Sequence, residues 1–192
     1  YARSASHIIA ATQSRHIAID PFQDHYQNLG LKNIEKLGYT EFLDFRRDFS
    51  HNVLPQLVQE KRKFEFIFID GDHKFDGILV DFYYADLLLD KHGYVLLHDT
   101  WMRSTQLVMS FIESNREDYK QIPTGLRNIA LYQKEKDRAS VTLVKAKREK
   151  QREEDKQKSL ARANERLKRL GLDAIASLDD APDVLGEIDP GL

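Results

Sequence analysis

Ten residues, Phe64-Glu-Phe-Ile-Phe-Ile-Asp-Gly-Asp-His73, constrain this chain more than any others. A run of alternating aromatic and β-branched residues, broken only by Glu65, stops abruptly at four small or polar ones. Parallel strands covered by helices on both faces read as such continuous apolar runs. In open α/β sheets the ligand sits just beyond the carboxyl ends of those strands. Two aspartates and a histidine occupy that position here, and Tyr94-Val-Leu-Leu-His-Asp-Thr100 repeats the pattern.

Strand and helix signals alternate around this pair. Ser4–Thr12 predicts a helix, and His16–Ile19 a short buried strand ended by Asp20-Pro21. Gln23–Leu37 reads as a helix interrupted at Gly30 and stopped by Gly38, and Tyr39–Phe45 alternates like a strand. Arg46–Ser50 reads as a polar loop, and His51–Gln59 as a short helix with Pro55 in its first turn. Phe75, Ile78, Leu79, Phe82, Tyr83 and Leu87 recur at a helical period up to Lys91-His92-Gly93. A further helix around Thr105–Ile112 leads to Tyr119–Ile122 and Asn128–Tyr132, two strands joined through Pro123-Thr-Gly125. The pattern predicts an α/β fold with a doubly wound, mostly parallel sheet and an antiparallel strand at or near its edge.

Charge separates this body from the carboxyl-terminal segments. Residues 1–144 carry 18 basic and 20 acidic side chains, 145–170 carry 11 and 5, and 171–192 carry 6 acidic and none basic. Blocks of this kind mark appendages. The domain expectation is therefore a body over 1–138, a charged helix over 139–170 and an acidic, disordered tail over 171–192. Leu160, Ala163, Leu167 and Leu170 form an apolar stripe too short for a coiled coil. The tail remains a candidate for a protein partner or self-association. Its basic charge comes without an aromatic or glycine-rich reader, which argues against nucleic acid. With no cysteine, structural disulfides and thiolate metal sites are excluded. No apolar run approaches the roughly 20 residues of a membrane span, so a soluble, cytoplasmic protein is expected.

The strand ends carry the candidate chemistry. Asp70, Asp72 and Asp99 would converge if their strands are neighbours, offering the oxygen ligands that a hard cation such as Mg²⁺ takes. His73 and His98 are candidates for proton transfer, because imidazole titrates near neutral pH. Each aspartate also has a purely local explanation, as a turn residue or helix cap. Caps alone, however, do not require a histidine beside each aspartate. Asp20 ends its strand where an acidic residue can accept hydrogen bonds from a ribose, or can simply cap the turn before the next helix.

The segments HIAIDPFQ, FIFIDGDHKFDGILVDFYYADLLLDKHGYVLLHDTW and LRNIALYQK together resemble the class I S-adenosylmethionine-dependent methyltransferases. They are most similar to the small-molecule O-methyltransferase-like subgroup with an IDGDH strand end, and the resemblance runs from about Tyr1 to Lys136. It implies S-adenosylmethionine as cofactor and methyl transfer to a small-molecule hydroxyl. Asp20 would hold the ribose, Asp48 in the Arg47–Ser50 loop would meet adenine, and Asp70 would border the cofactor. Asp70 and Asp99 would take Mg²⁺ where a member uses it, and Asp72 or His73 would receive the acceptor's proton. Thr100 stands where such members often carry a second Asn or Asp ligand. The family's first strand and glycine-rich loop should precede or overlap Tyr1, with Ala2 where glycine is usual, so a fragment or a degenerate copy is expected. Two competing readings are a metal-dependent glycosyltransferase using Asp70-Gly-Asp72, and a non-catalytic methyltransferase-fold interaction module.

Overall fold

The computed structural model describes residues 2–177, with the side chains of 138–145 excepted. It divides into a first unit ending at Asp137 and a second beginning at Arg138. Of the disordered tail expected over 171–192, residues 171–177 are described and 178–192 lie outside the described residues.

In the first unit, α1 (Arg3–Thr12) leads into β1 (His16–Ile19). A 3₁₀ turn at Gln23–Tyr26 and α2 (Leu29–Lys36) come next. The break in this helical stretch falls at Gln27-Asn28, both left-handed at φ 52° and 57°, and not at Gly30. Gly30 lies inside α2 because a side chain there would collide with Gln23, whose Oε1 is 2.6 Å from an ideal Cβ. Gly38, at φ 73°, does stop the helix. The alternation at Tyr39–Phe45 resolves into a 3₁₀ turn at Thr40–Phe42 and a strand displaced towards the carboxyl end, β2 (Leu43–Arg46). Pro55 lies midway along α3 (Ser50–Gln59) and not in its first turn.

β3 (Phe64–Ile69) is followed by α4 (Phe75–Leu88), which passes directly into β4 (Leu89–His98). Lys91-His92-Gly93 therefore does not end the helix. Phe64 pairs with Leu89 and Phe66 with Tyr94, so the segment between is a bulge in β4. Gly93 belongs there because a Cβ would meet the Glu65 carbonyl oxygen at 2.9 Å and that of Asp90 at 3.0 Å. α5 (Arg103–Asn115), β5 (Tyr119–Ile122) and β6 (Ile129–Lys134) complete the unit.

The strands form two sheets. β1 and β2 pair in parallel, and the other four run β3-β4-β6-β5. β3 and β4 are parallel, while β6 is antiparallel to both neighbours and lies one strand in from the edge. The main core lies where α4 and α5 cover the larger sheet, built on Ile78, Phe82, Val95, Leu97, Val108 and Tyr132. A smaller one joins Val53, Leu57 and Leu88, with Ile17 and Ile19 packed against it.

Neither β1 nor β3 has a second neighbour among the described residues. A cavity of about 1410 Å³ separates them, lined by His16–Ile19, Phe64, Phe66–Ile69 and apolar residues of the surrounding helices. β3 is consequently not buried on both faces: Phe66 is 39% exposed. The apolar run has the composition of a covered strand, but its free side opens on the cavity.

In the second unit, α6 (Arg138–Arg169) is one continuous helix that begins and ends one residue earlier than the expected 139–170. Gly171 at φ 72° closes it, and the Asn164 side chain exchanges two hydrogen bonds with the backbone of Ile175. Leu167 of the apolar stripe is buried, whereas Leu170 is exposed.

Candidate active site

The register of β3 on β4 sets Ile69 beside Leu97, so the carboxyl ends of the two strands open side by side. Asp70 and His73 leave the first end, and His98 and Asp99 the second. His73 Nε2 lies 2.7 Å from Asp99 Oδ2. His98 Nδ1 lies 3.1 Å from Asp70 Oδ1 and 3.2 Å from Asp99 Oδ2, buried yet too far off axis to hydrogen-bond with either. Of the three carboxylates expected to converge, only Asp70 and Asp99 come together, with His98 spacing them and His73 alongside.

Asp99 is the most constrained member. Its backbone is left-handed at φ 54°, uncommon for a residue with a side chain. Its Oδ1 accepts hydrogen bonds from Trp101 Nε1 at 3.0 Å and Asn128 Nδ2 at 3.1 Å. Oδ2 is left facing the histidines. Burial pushes the Asp99 carboxyl up, but donation from Asn128, His73 and Trp101 with the nearby His98 outweighs it and holds the group far below the usual range. Asp70 goes the other way: burial raises it, and the Asp99 charge adds to that against the two histidines.

Asp72 stands apart from this cluster. Its Oδ1 accepts from the Lys74 backbone N–H at 3.3 Å at the head of α4, and the Lys74 ammonium is 3.8 Å from Oδ2. Asp20 takes up the local role open to it, accepting from the Phe22 N–H at 2.8 Å and from the Gln23 side chain. Asp48 does likewise at the start of α3, where hydrogen bonds from the Asn52 side chain and the Phe49 N–H lower its carboxyl. Asp20, Phe49, Asp70, Asp72 and His73 all line the large cavity.

Sequence reasoning passed over Trp101 and Asn128 as parts of the site. Trp101 could have been noticed as the only tryptophan, two residues beyond Asp99. Asn128 required the fold, because the antiparallel pairing of His98 with Ile129 is what carries it to Asp99.

Helices on a mainly parallel sheet, with a polar cluster at the carboxyl ends of two adjacent strands, define a Rossmann-like α/β domain of the class I methyltransferase kind. A family model described as a methyltransferase domain matches residues 2–100, more than half of the chain, and the chain belongs to that family. The Asp70-Gly-Asp72 triplet is accordingly part of a methyltransferase fold, which displaces the glycosyltransferase reading. A second model, the C-terminal domain of tail specific protease, matches residues 115–187. That likeness covers the end of α5, the β5–β6 hairpin and α6, and so spans both units.

Similar solved structures include cofactor-bound Rv0187 from MTB, at 15% identity and TM-score 0.55, covering 66% of this chain and 64% of that one. The O-methyltransferase from Bacillus cereus in complex with SAH is 16% identical at TM-score 0.50, covering 62% and 61%. TomG, an O-methyltransferase from Streptomyces achromogenes involved in tomaymycin synthesis and solved with SAM, is 18% identical at TM-score 0.50, also covering 62% and 61%. At these identities the likeness is one of fold, and the chain spans about 64% of the first of them. No curated protein matches the chain. Among the described residues no helix is long and apolar enough to cross a membrane.

Proposed function

We propose that this chain acts in S-adenosylmethionine-dependent methyl transfer to a hydroxyl of a small molecule. The observation that carries this reading is the Asp70–His73–His98–Asp99 cluster at adjacent strand ends, on the rim of a cavity bordered by Asp20 and Phe49.

The cavity suits a cofactor in kind and exceeds one in size. Small-molecule pockets run to about 1,000 Å³, and this one is about 1410 Å³. The surplus is the gap between β1 and β3, which has room and two hydrogen-bonding edges for one more parallel strand. The resemblance gives that place to the family's first strand and glycine-rich loop. Ala2, left-handed at φ 54° on the cavity wall, has the backbone that glycine adopts most readily.

S-adenosylmethionine supplies the electrophilic methyl group. The chain's residues would bind, orient and deprotonate. Asp20 keeps lone pairs beyond its two local bonds for the ribose hydroxyls, and the Phe49 ring beside Asp48 offers a face for adenine. Asp72 or His73, both on the cavity lining, would receive the acceptor's proton. Holding both reactants in line would account for most of the rate enhancement.

Mg²⁺ fits this site poorly. It favours octahedral oxygen ligands with several waters. Here an imidazole sits among the converging groups, and Thr100 takes the place of a second carboxylate or amide. No step of the proposed reaction is routed through Mg²⁺.

Titration of S-adenosylhomocysteine into the protein tests the reading. Asp20→Ala should weaken binding at least about tenfold, since a hydrogen bond to a charged group contributes about 1.5–3 kcal/mol. Equal affinity in the two proteins would remove the ribose role. No binding to the unmutated protein would remove the methyl-donor reading and leave the non-catalytic module.

A further inference from the structure

We propose that Trp101 and Leu126 form the docking face for the acceptor, and that the acceptor is a phenol, a hydroxyl carried on a flat aromatic ring. The inference rests on the methyltransferase reading for the reaction, and adds to it a substrate class and the two residues that select it.

In the first unit Trp101 and Leu126 are the most exposed of the large apolar side chains, at 69% and 67%. Their segments are distant in the chain and meet at one atom. Asp99 Oδ1 accepts from Trp101 Nε1 at 3.0 Å and from Asn128 Nδ2 at 3.1 Å. Leu126 is two residues before Asn128, a span of at most about 7 Å. The other oxygen of Asp99 lies 2.7 Å from His73 Nε2. A single carboxylate thus joins the apolar pair to the groups of the candidate site. Exposed apolar surface rimmed by polar groups is the mark of a binding surface.

Trp101 is also held still. The Met102 N–H closes a turn on the Asp99 carbonyl at 2.9 Å. Gln106 Nε2 reaches from α5 to the carbonyls of Thr100 at 3.2 Å and Trp101 at 3.4 Å. Fixed at its backbone and at its ring edge, the indole offers a face that a ligand need not order on binding. Such a face favours a flat partner, because an aromatic pair gains more than its contact area alone provides. A ring stacked there, at the roughly 4.5–7 Å centroid separation of aromatic pairs, would bring a hydroxyl substituent towards Asp99 and His73.

The chemistry of the site selects the same class. The proton acceptors on offer are the Asp72 carboxylate and the His73 imidazole, and Mg²⁺ suits the converging ligands poorly, so the acidity of the acceptor itself matters. A phenol ionises near pKa 10 and an aliphatic hydroxyl more nearly like water, at about 15.7, so the phenol loses its proton roughly 10⁵-fold more readily. The phenolic oxygen forms its bond to the methyl carbon as the carbon–sulfur bond of S-adenosylmethionine breaks. The electron pair of that bond goes to sulfur, S-adenosylhomocysteine leaves, and the proton passes to Asp72 or His73.

Trp101 is the only tryptophan, so its indole N–H gives one signal in a proton–nitrogen NMR correlation spectrum. The test titrates para-cresol, and separately its fully hydrogenated cyclohexanol counterpart, into the full chain with and without saturating S-adenosylhomocysteine. Para-cresol should shift the indole signal saturably through the ring current of a stacked ring, and the saturated alcohol should not. The probes' own resonances follow binding to the variants. Trp101→Leu should weaken para-cresol about two- to twelvefold and leave the saturated alcohol unchanged, since only the aromatic pair is lost. Trp101→Phe should keep most of the preference, and Leu126→Ala should weaken both probes. Trp101 and Leu126 are exposed, so circular dichroism of these variants should be unchanged. An indole signal indifferent to para-cresol, or a para-cresol affinity indifferent to Trp101→Leu, would overturn the proposal. S-adenosylhomocysteine binding is read separately, so failure here is distinguishable from failure of the methyltransferase reading.

Discussion

Asp86→Ala should cost this protein about 3–5 kcal/mol, the range measured when one partner of a buried ion pair is removed. The Asp86 side chain has no solvent exposure. Arg116 Nη2 donates to its Oδ1 at 2.7 Å, the Tyr119 hydroxyl does so at 3.0 Å, and Lys134 Nζ lies 3.3 Å away. Arg116 keeps a second carboxylate, bonded to Asp118 through Nη2 at 2.6 Å and Nε at 2.9 Å. Lys134 is worse placed in the variant. Its side chain is 5% exposed, and it would retain only the carbonyls of Asp86 at 2.6 Å and Leu89 at 3.3 Å. The loss should therefore reflect chiefly the stranded ammonium.

Against a typical total of about 5–15 kcal/mol, such a loss is large. It would lower Tm by roughly 10–15 °C for a unit of this size. Urea unfolding at neutral pH measures it, with an unchanged m-value to show that the end states are the same. The pH dependence supplies a sign. Burial would raise the Asp86 carboxyl, but Arg116, Lys134 and Tyr119 together hold it below its ordinary value. The stabilisation is thus present above about pH 4 and is lost as pH falls through the depressed folded value. The gap between wild type and variant must narrow in acid. Adding Lys134→Met to Asp86→Ala should recover part of the deficit by removing the stranded charge. A deficit below about 1 kcal/mol, or a double variant no better than the sum of the singles, would refute this account.

Two further outcomes rest on buried groups elsewhere in the first unit. Burial raises the Asp81 carboxyl despite its hydrogen bond from Ser50, and the Asp72 charge adds to the rise. Its folded value lies above its unfolded one, so its ionisation erodes stability as pH rises through that window. Asp81→Asn should raise the urea midpoint at pH 7 and lose that advantage below the carboxylate range. Gly93→Ala should cost about 1–3 kcal/mol in the same assay, because the atoms that an added Cβ meets include two backbone oxygens that cannot turn aside.

Much of the architecture was legible because its signals are local. The apolar run ending at Asp70, the helical period from Phe75 and the Pro123-Thr-Gly125 turn each specify an element without reference to the rest. Where the sequence misled, a tertiary contact had overridden a local rule. Gly30 looked like a helix breaker, but is needed for the approach of Gln23. Gly93 looked like a helix stop, but lies in the strand where Glu65 comes close. The site divides similarly. Asp70, His73 and Asp99 could be picked out because the ends of parallel strands are where such folds place ligands. Trp101 and Asn128 could not, since their role depends on which oxygen of Asp99 each one holds.

The gap between β1 and β3 also has a colloidal consequence. Each strand presents a row of backbone donors and acceptors beside an apolar surface, and such edges template pairing with another molecule. Phe64–Ile69 adds the composition of an aggregation-prone segment: six residues, strongly β-forming, without proline, and guarded by the single charge of Glu65. Two copies of this chain with the slot open would meet first along these strands. The residues that carry Asp70 of the candidate site to its place are then also the ones through which the chain would self-associate.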